Sequence, residues 1–281
     1  MQKAALLSSI FLAIACATTP REQGAEPRPE RRLAILHASD LEAELVADPH
    51  PGVGGIERFV RVVRALRARS SAPTITVAAG DVFMPAPALQ VEIEGVRAVD
   101  RANALVGFDT SVLGNHEFDR GPAFLAERVA ASPFPWLSAT LRFREGPLGA
   151  LALAETSPAA RLDEHPGRIL PRGRICAGGG WTGGRCSGIE VGVIGATTEL
   201  LPTISNAELG VEPVVDFDAL RAAVQAQVDA FTAEGIDVIV LLSHLQDVRQ
   251  ELRLIDAGLT GVDVIVAGGG DDRLASPDHR L

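Results

Sequence analysis

The chain has 281 residues, 47% hydrophobic and 22% charged, which is enough apolar material for one large α/β domain and too much for global disorder. Its formal net charge of −10 argues against nucleic-acid polymers and anionic lipid headgroups as main partners, because both reward dense positive charge. Lys3 is the one lysine beside many arginines, a coding bias rather than a functional signal.

The first segment reads as an address. Lys3 is a minimal positive region, residues 4–15 form an apolar run too short to span a membrane comfortably, and Leu12-Ala13-Ile14-Ala15-Cys16 resembles a bacterial lipobox. Residues 1–16 are therefore expected to be a signal peptide with Cys16 as the lipidation site, the plain alternative being an ordinary cleaved signal. Residues 17–31, with Pro20, Pro27 and Pro29, read as a flexible tether. The expected location is exported: a membrane-anchored lipoprotein, periplasmic or at the cell surface. An oxidising compartment makes Cys176 and Cys186 a candidate disulfide closing a glycine-rich loop. A metal site built on those two thiols is the alternative.

Residues 32–39 are expected to form a strand and 55–70 a helix, with Ile56, Phe59, Val60, Val63 and Leu66 at helical spacing. Further strands are expected at 74–79, 110–113, 136–139, 189–196, 237–243 and 262–267. Helices are expected at 88–106, 123–131, 217–233 and 246–256. Strands alternating with helices predict an α/β fold with a mainly parallel sheet. Residues 141–188, rich in Pro and Gly, read as a surface insertion within a domain spanning 32–281.

Polar residues gather where these strands end: Asp40 and Glu42 after the first, Asp81 after Gly80, then Gly114-Asn115-His116-Glu117-Phe118-Asp119, then His244, then Asp271 and Asp272 after Gly268-Gly269-Gly270. Open α/β sheets bind ligands at the carboxyl ends of their strands. One acidic strand end is ordinary decoration; five strands delivering oxygen and imidazole donors to one edge is what a divalent-metal site requires. His37, inside the first strand, reads instead as a core histidine.

These motifs, in this order, resemble the calcineurin-like metallophosphoesterases. Leu113-Gly114-Asn115-His116-Glu117-Phe118-Asp119 and Ile35-Leu36-His37-Ala38-Ser39-Asp40 are similar to the secreted 5′-nucleotidase branch. The resemblance implies a βαβ sheet layered with helices and two divalent metal ions at the carboxyl edges of the strands. Asp81 would bridge them, Asp40 and Glu42 would hold the first, and Asn115 and His244 the second. His116, oriented by Asp119, would act at the leaving group while a metal-bound water attacks phosphorus. The implied partner is a small phosphorylated substrate, and the implied activity is hydrolysis of phosphate monoesters.

Two motifs depart from the family pattern. Glu42 stands where the family usually has histidine, and Gly269 and Asp271 stand where it usually has histidine and then histidine or glutamine. A first site of Asp40, Glu42, Asp81 and Asp271, with Asp272 the rival to Asp271, is expected to favour Mg²⁺, Mn²⁺ or Ca²⁺ over Zn²⁺. His50 and His279 are candidates for the missing imidazole. Few residues follow the last motif, so the domain is expected to be incomplete at its C-terminal end and nucleotide specificity is not implied. The rival expectations are a non-catalytic metal- or ligand-binding lipoprotein and a phosphodiesterase.

Overall fold

A computed structural model describes residues 11–15 (backbone path only), 31–47, 54–83, 86–205 and 208–270. Cys16, His50, Asp271, Asp272 and His279 lie outside the described residues. The first sheet has six strands in chain order: β1 (Phe11–Ala15), β2 (Leu33–Ala38), β3 (Thr74–Ala78), β4 (Thr110–Val112), β5 (Trp136–Leu137) and β6 (Ile169–Leu170). From β2 to β6 neighbours run parallel; β1 pairs antiparallel with β2. β1 falls within the run read as an address. An apolar extended segment readily pairs along an open edge, which presents unpaired N–H and C=O groups.

The second sheet has the order β7 (Arg172–Ala177), β8 (Ile189–Thr197), β9 (Val238–His244) and β10 (Val264–Gly268), parallel except for β7. Helices α1 (Ile56–Arg69), α2 (Ala98–Val106) and α3 (Gly121–Ala131) cover the outer face of the first sheet. Helices α4 (Phe217–Glu234) and α5 (Val248–Asp256) cover the outer face of the second.

The two-residue period of a strand sorts side chains between these layers. In β2, Leu33 and Ile35 face the second sheet, while Leu36 and Ala38 face the helices. In β8, Val191 and Val193 face the first sheet, while Ile194 and Ala196 pack against Leu220, Val224 and Phe231 of α4. The α/β class is as expected. The division into two face-to-face sheets is additional, since strands buried on both faces read as apolar runs whatever covers them.

Two stretches differ from expectation. Residues 88–106 are not one helix: Pro87–Gln90 form a 3₁₀ turn, Glu92–Ile93 and Val96–Arg97 form a hairpin, and only Ala98–Val106 are helical. The hairpin turns at Glu94 and Gly95, both at positive φ (53° and 75°), and the alternation of Val91 and Ile93 favours strand over helix. Residues 141–188 supply β6 to one sheet and β7 to the other, so this stretch carries the chain between layers rather than only decorating the surface.

Cys176 and Cys186 are joined in a disulfide. The loop it closes bears a short hairpin whose Trp181 stacks between the guanidinium groups of Arg161 and Arg174 (5.0 and 5.1 Å). Ala177 pairs with Ile189 at the amino end of β8, roughly 25 Å along the strand from its carboxyl end. Replacing both cysteines by serine is expected to cost about 2–3 kcal/mol in denaturant unfolding and to leave divalent-metal affinity unchanged. A loss of metal affinity would contradict this separation.

Candidate metal centre

The carboxyl ends of β2, β3, β4, β9 and β10 meet where the two sheets touch. Beyond their strands, the loops after β2 and β3 stay zipped: Asp40 N–H donates to Gly80 C=O (3.1 Å) and Glu42 N–H to Asp81 C=O (2.8 Å). Asp40, Glu42 and Asp81 all sit at positive φ (54°, 48° and 52°), a left-handed conformation that costs a non-glycine residue about 1–3 kcal/mol. Three such residues in one cluster point to a site whose geometry is selected over backbone comfort.

Glu117 builds the floor. Its fully buried carboxyl accepts the backbone N–H groups of Asp81 (2.9 Å), Val82 (2.7 Å) and Gly114 (2.7 Å). Burial and the charge of Asp81 push it up to about 7, against the pull of His244 and these N–H groups. It fastens the β3 loop to the β4 loop and offers no free oxygen to the site. Gly114 is required by close approach: a Cβ there would fall 2.2 Å from Asp81 Oδ1.

Asp81 is the hub, 2% exposed. Its Oδ1 accepts His116 N–H (2.8 Å), and its Oδ2 faces His244 Nε2 at 2.9 Å. His244 Nδ1 donates to Ala79 C=O (2.7 Å), which leaves Nε2 turned to Asp81 and to Asn115 Oδ1 (3.0 Å). Asp40, Asp81 and His244 each offer one donor atom within 4.8 Å of the others. Asp40 also accepts Gly269 N–H (3.2 Å).

The electrostatics of this group are those of crowded, partly buried carboxylates. Burial raises Asp40, relieved in part by His244; burial raises Glu42, relieved in part by His116, while Asp81 and Asp40 push it further up. Carboxylates crowded in this way, with one imidazole nitrogen and one amide oxygen aimed at the same point, are an oxygen-rich donor set of the kind hard divalent ions prefer. The residues present fit the metal the resemblance implies.

His116 and Asp119 are brought together: Nδ1 meets Asp119 Oδ2 at 2.6 Å. Burial disfavours a charged His116, but the Asp119 bond and the charges of Asp81, Asp119 and Glu42 outweigh it and raise the imidazole. Of the expected site residues, Asp40, Asp81, Asn115 and His244 converge, Glu42 adjoins them, and Asp271 lies outside the described residues. His37 is half-buried in β2 with its imidazole lowered by burial. One participant had no expectation attached. Gln246, two residues past His244, donates its side-chain N–H to Asn115 Oδ1.

Two stacked sheets with a carboxylate–imidazole cluster at their shared carboxyl edge define an α/β domain with a candidate metal site. The family model described as calcineurin-like phosphoesterase matches residues 33–181. The snake venom 5′-nucleotidase of Gloydius brevicauda is 30% identical over 248 residues, covering 84% of this chain and 36% of that protein. The 5′-nucleotidase of Diplobatis ommata is 29% identical over 246 residues, 84% of this chain and 37% of its own. The crystal structure of the 5′-nucleotidase precursor from Thermus thermophilus superposes with a TM-score of 0.64 at 29% identity, covering 84% of this chain and 41% of that one. The chain belongs to the calcineurin-like phosphoesterase family, whose members use divalent metal ions. It spans about two-fifths of the length of these relatives.

Burial opposes a charged His244, yet Asp81, by charge and hydrogen bond, and Asp40 outweigh it, so the imidazole rises from 6.5 to about 9. Its folded value lies above its unfolded one. The stability it gives the metal-free protein is therefore complete below pH 6.5 and is lost as pH rises through about 9. Urea midpoints of EDTA-treated protein are expected to fall across that window, and His244→Asn is expected to flatten the fall. A wild-type slope that His244→Asn leaves unchanged would contradict the assignment.

Proposed function

We propose that this protein is an exported, metal-dependent phosphoesterase that hydrolyses phosphate monoesters in the manner of a 5′-nucleotidase. The observation that carries the proposal is the fixing of His116 to the metal-ligating cluster. Its main chain donates to Asp81 Oδ1 (2.8 Å) while its ring is held by Asp119 (2.6 Å). A site that only stored metal has no use for an oriented imidazole beside its ligands.

Two divalent ions bound here would supply charge neutralisation on the phosphoryl oxygens and activation of a water for in-line attack. Asp81 would be the shared ligand, Asp40 and Glu42 would hold one ion, and Asn115 and His244 would hold the other. Asp119 fixes the His116 ring, and the surrounding carboxylates raise its affinity for a proton. His116 thereby serves as donor to the departing oxygen. The oxygen-rich set supports Mg²⁺, Mn²⁺ or Ca²⁺ over Zn²⁺.

The relatives' names support a small phosphorylated substrate of the nucleotide class. Export rests on the Lys3-to-Cys16 pattern, with Cys16 as lipid anchor. Among the described residues no helix is long and apolar enough to cross a membrane. Wild-type protein should incorporate labelled fatty acid, and Cys16→Ala should not.

Metal-loaded protein is expected to hydrolyse p-nitrophenyl phosphate and to leave the bis-p-nitrophenyl ester almost untouched. Asp81→Asn should abolish metal binding and turnover together. His116→Ala should keep its metal and lose roughly 10²–10⁴-fold in kcat. Undiminished turnover in His116→Ala, or faster hydrolysis of the bis-ester, would overturn the proposal.

A further inference from the structure

Gln246 occupies a position that its backbone makes costly. It lies just past β9 at φ 74°, a region where turns use glycine or asparagine because a longer side chain gains nothing there. It does not cap the next helix: Asp247 does so, its carboxylate accepting Arg249 N–H at 2.9 Å. The Gln246 side chain reaches instead into the metal cluster and donates to Asn115 Oδ1. That oxygen lies 3.0 Å from His244 Nε2, which is itself 2.9 Å from Asp81 Oδ2.

Gly269 supplies the second observation. A Cβ at that position would fall 2.6 Å from His244 Nε2 and 2.9 Å from Gln246 Nε2. A side chain at residue 269 would collide first with the His244 ring, and the corner of the site beside His244 is filled by Gln246, just past β9, rather than from the end of β10. Four polar groups therefore meet in this corner: the Asp81 carboxylate, the Asn115 amide oxygen, the His244 imidazole and the Gln246 amide. Asn115 Oδ1 takes N–H groups from two sides, His244 Nε2 and Gln246 Nε2. A glutamine amide is a donor through nitrogen and an acceptor through oxygen, and a half-turn about its last bond exchanges the two.

We propose that Gln246 is the fourth protein ligand of the second metal position. Its amide oxygen replaces the imidazole that Gly269 does not provide. This rests on the reading of the cluster as a two-metal site. It adds a neutral oxygen donor, so the position holds two oxygen-donor amides, one imidazole and the shared carboxylate, a set for Mn²⁺ or Mg²⁺ rather than for Zn²⁺. It also explains the strained backbone: residue 246 keeps a side chain at positive φ because the side chain has work at the site.

Titration of the EDTA-stripped full-length protein with MnCl₂, with free Mn²⁺ read by electron paramagnetic resonance, tests the assignment without using activity. Wild type is expected to bind two equivalents. Gln246→Gly relieves the positive φ, so its metal-free melting temperature should match or exceed wild type. Its second Mn²⁺ should weaken by about tenfold or more. Gln246→Glu keeps an oxygen at the same reach and loses the N–H, so its second Mn²⁺ should bind at least as tightly as in wild type. Two unaltered equivalents in Gln246→Gly would overturn the inference while leaving the two-metal reading intact. So would a Gln246→Glu variant as weak as Gln246→Gly, since the N–H bond to Asn115 would then be the whole role. A wild type that binds fewer than two equivalents would overturn the two-metal reading and the inference with it.

Discussion

A carboxylate as buried as Asp81 stays charged only if its neighbours compensate for the lost water, and much of the centre is arranged to do so. His116 donates its main-chain N–H to one oxygen, and the His244 ring faces the other. Despite burial, those partners hold Asp81 below the usual carboxylate range. Each of them is fixed by something else: His244 by Ala79 C=O, His116 by Asp119, and the peptide of Asp81 itself by Glu117. Removing the Asp81 charge would leave His244 without its main counter-charge in a fully buried position. The chemistry and the packing of the centre therefore share one constraint.

That constraint lies on the seam between the two sheets. Thr197 at the end of β8 donates to Leu113 C=O at 2.7 Å and shares a hydroxyl contact with Ser138 at 3.0 Å; Thr140 donates back to Thr197 C=O at 2.8 Å. These bonds, with His244 to Ala79, tie the carboxyl edges of both sheets together where the donors emerge. A candidate metal site whose described residues come from four strands in two layers keeps its geometry only if the layers cannot slide, and buried polar bonds of this kind specify register better than apolar packing does. The left-handed residues Asp40, Glu42 and Asp81 are carried by the same seam.

Much of this was legible in the sequence, for a physical reason. Strand ends deliver side chains to one edge of any parallel sheet, so Asp40, Asp81, Asn115 and His244 are brought together by chain order alone, whichever sheet each strand joins. The split into two sheets was not legible, because Val191 and Val240 are buried on a face whose cover leaves no mark on the strand itself. The hairpin inside 88–106 was missed because its three β-branched residues, Val91, Ile93 and Val96, are too few to stand against the helical pattern that follows. Gln246 was invisible for a different reason. Its contact with Asn115 joins the turn after β9 to the loop after β4, and no local pattern couples residues so far apart in the chain.

The account as a whole depends on Asp81 being shared between two ions rather than paired for good with His244. Crystals grown in MnCl₂ and measured at the manganese absorption edge test this most directly. The account predicts two anomalous peaks flanking the Asp81 carboxylate, one toward Asp40 and Glu42, the other toward Asn115 and His244, with the Asp81–His244 contact opened between them. A single peak, or peaks elsewhere with His244 still bonded to Asp81, would contradict it.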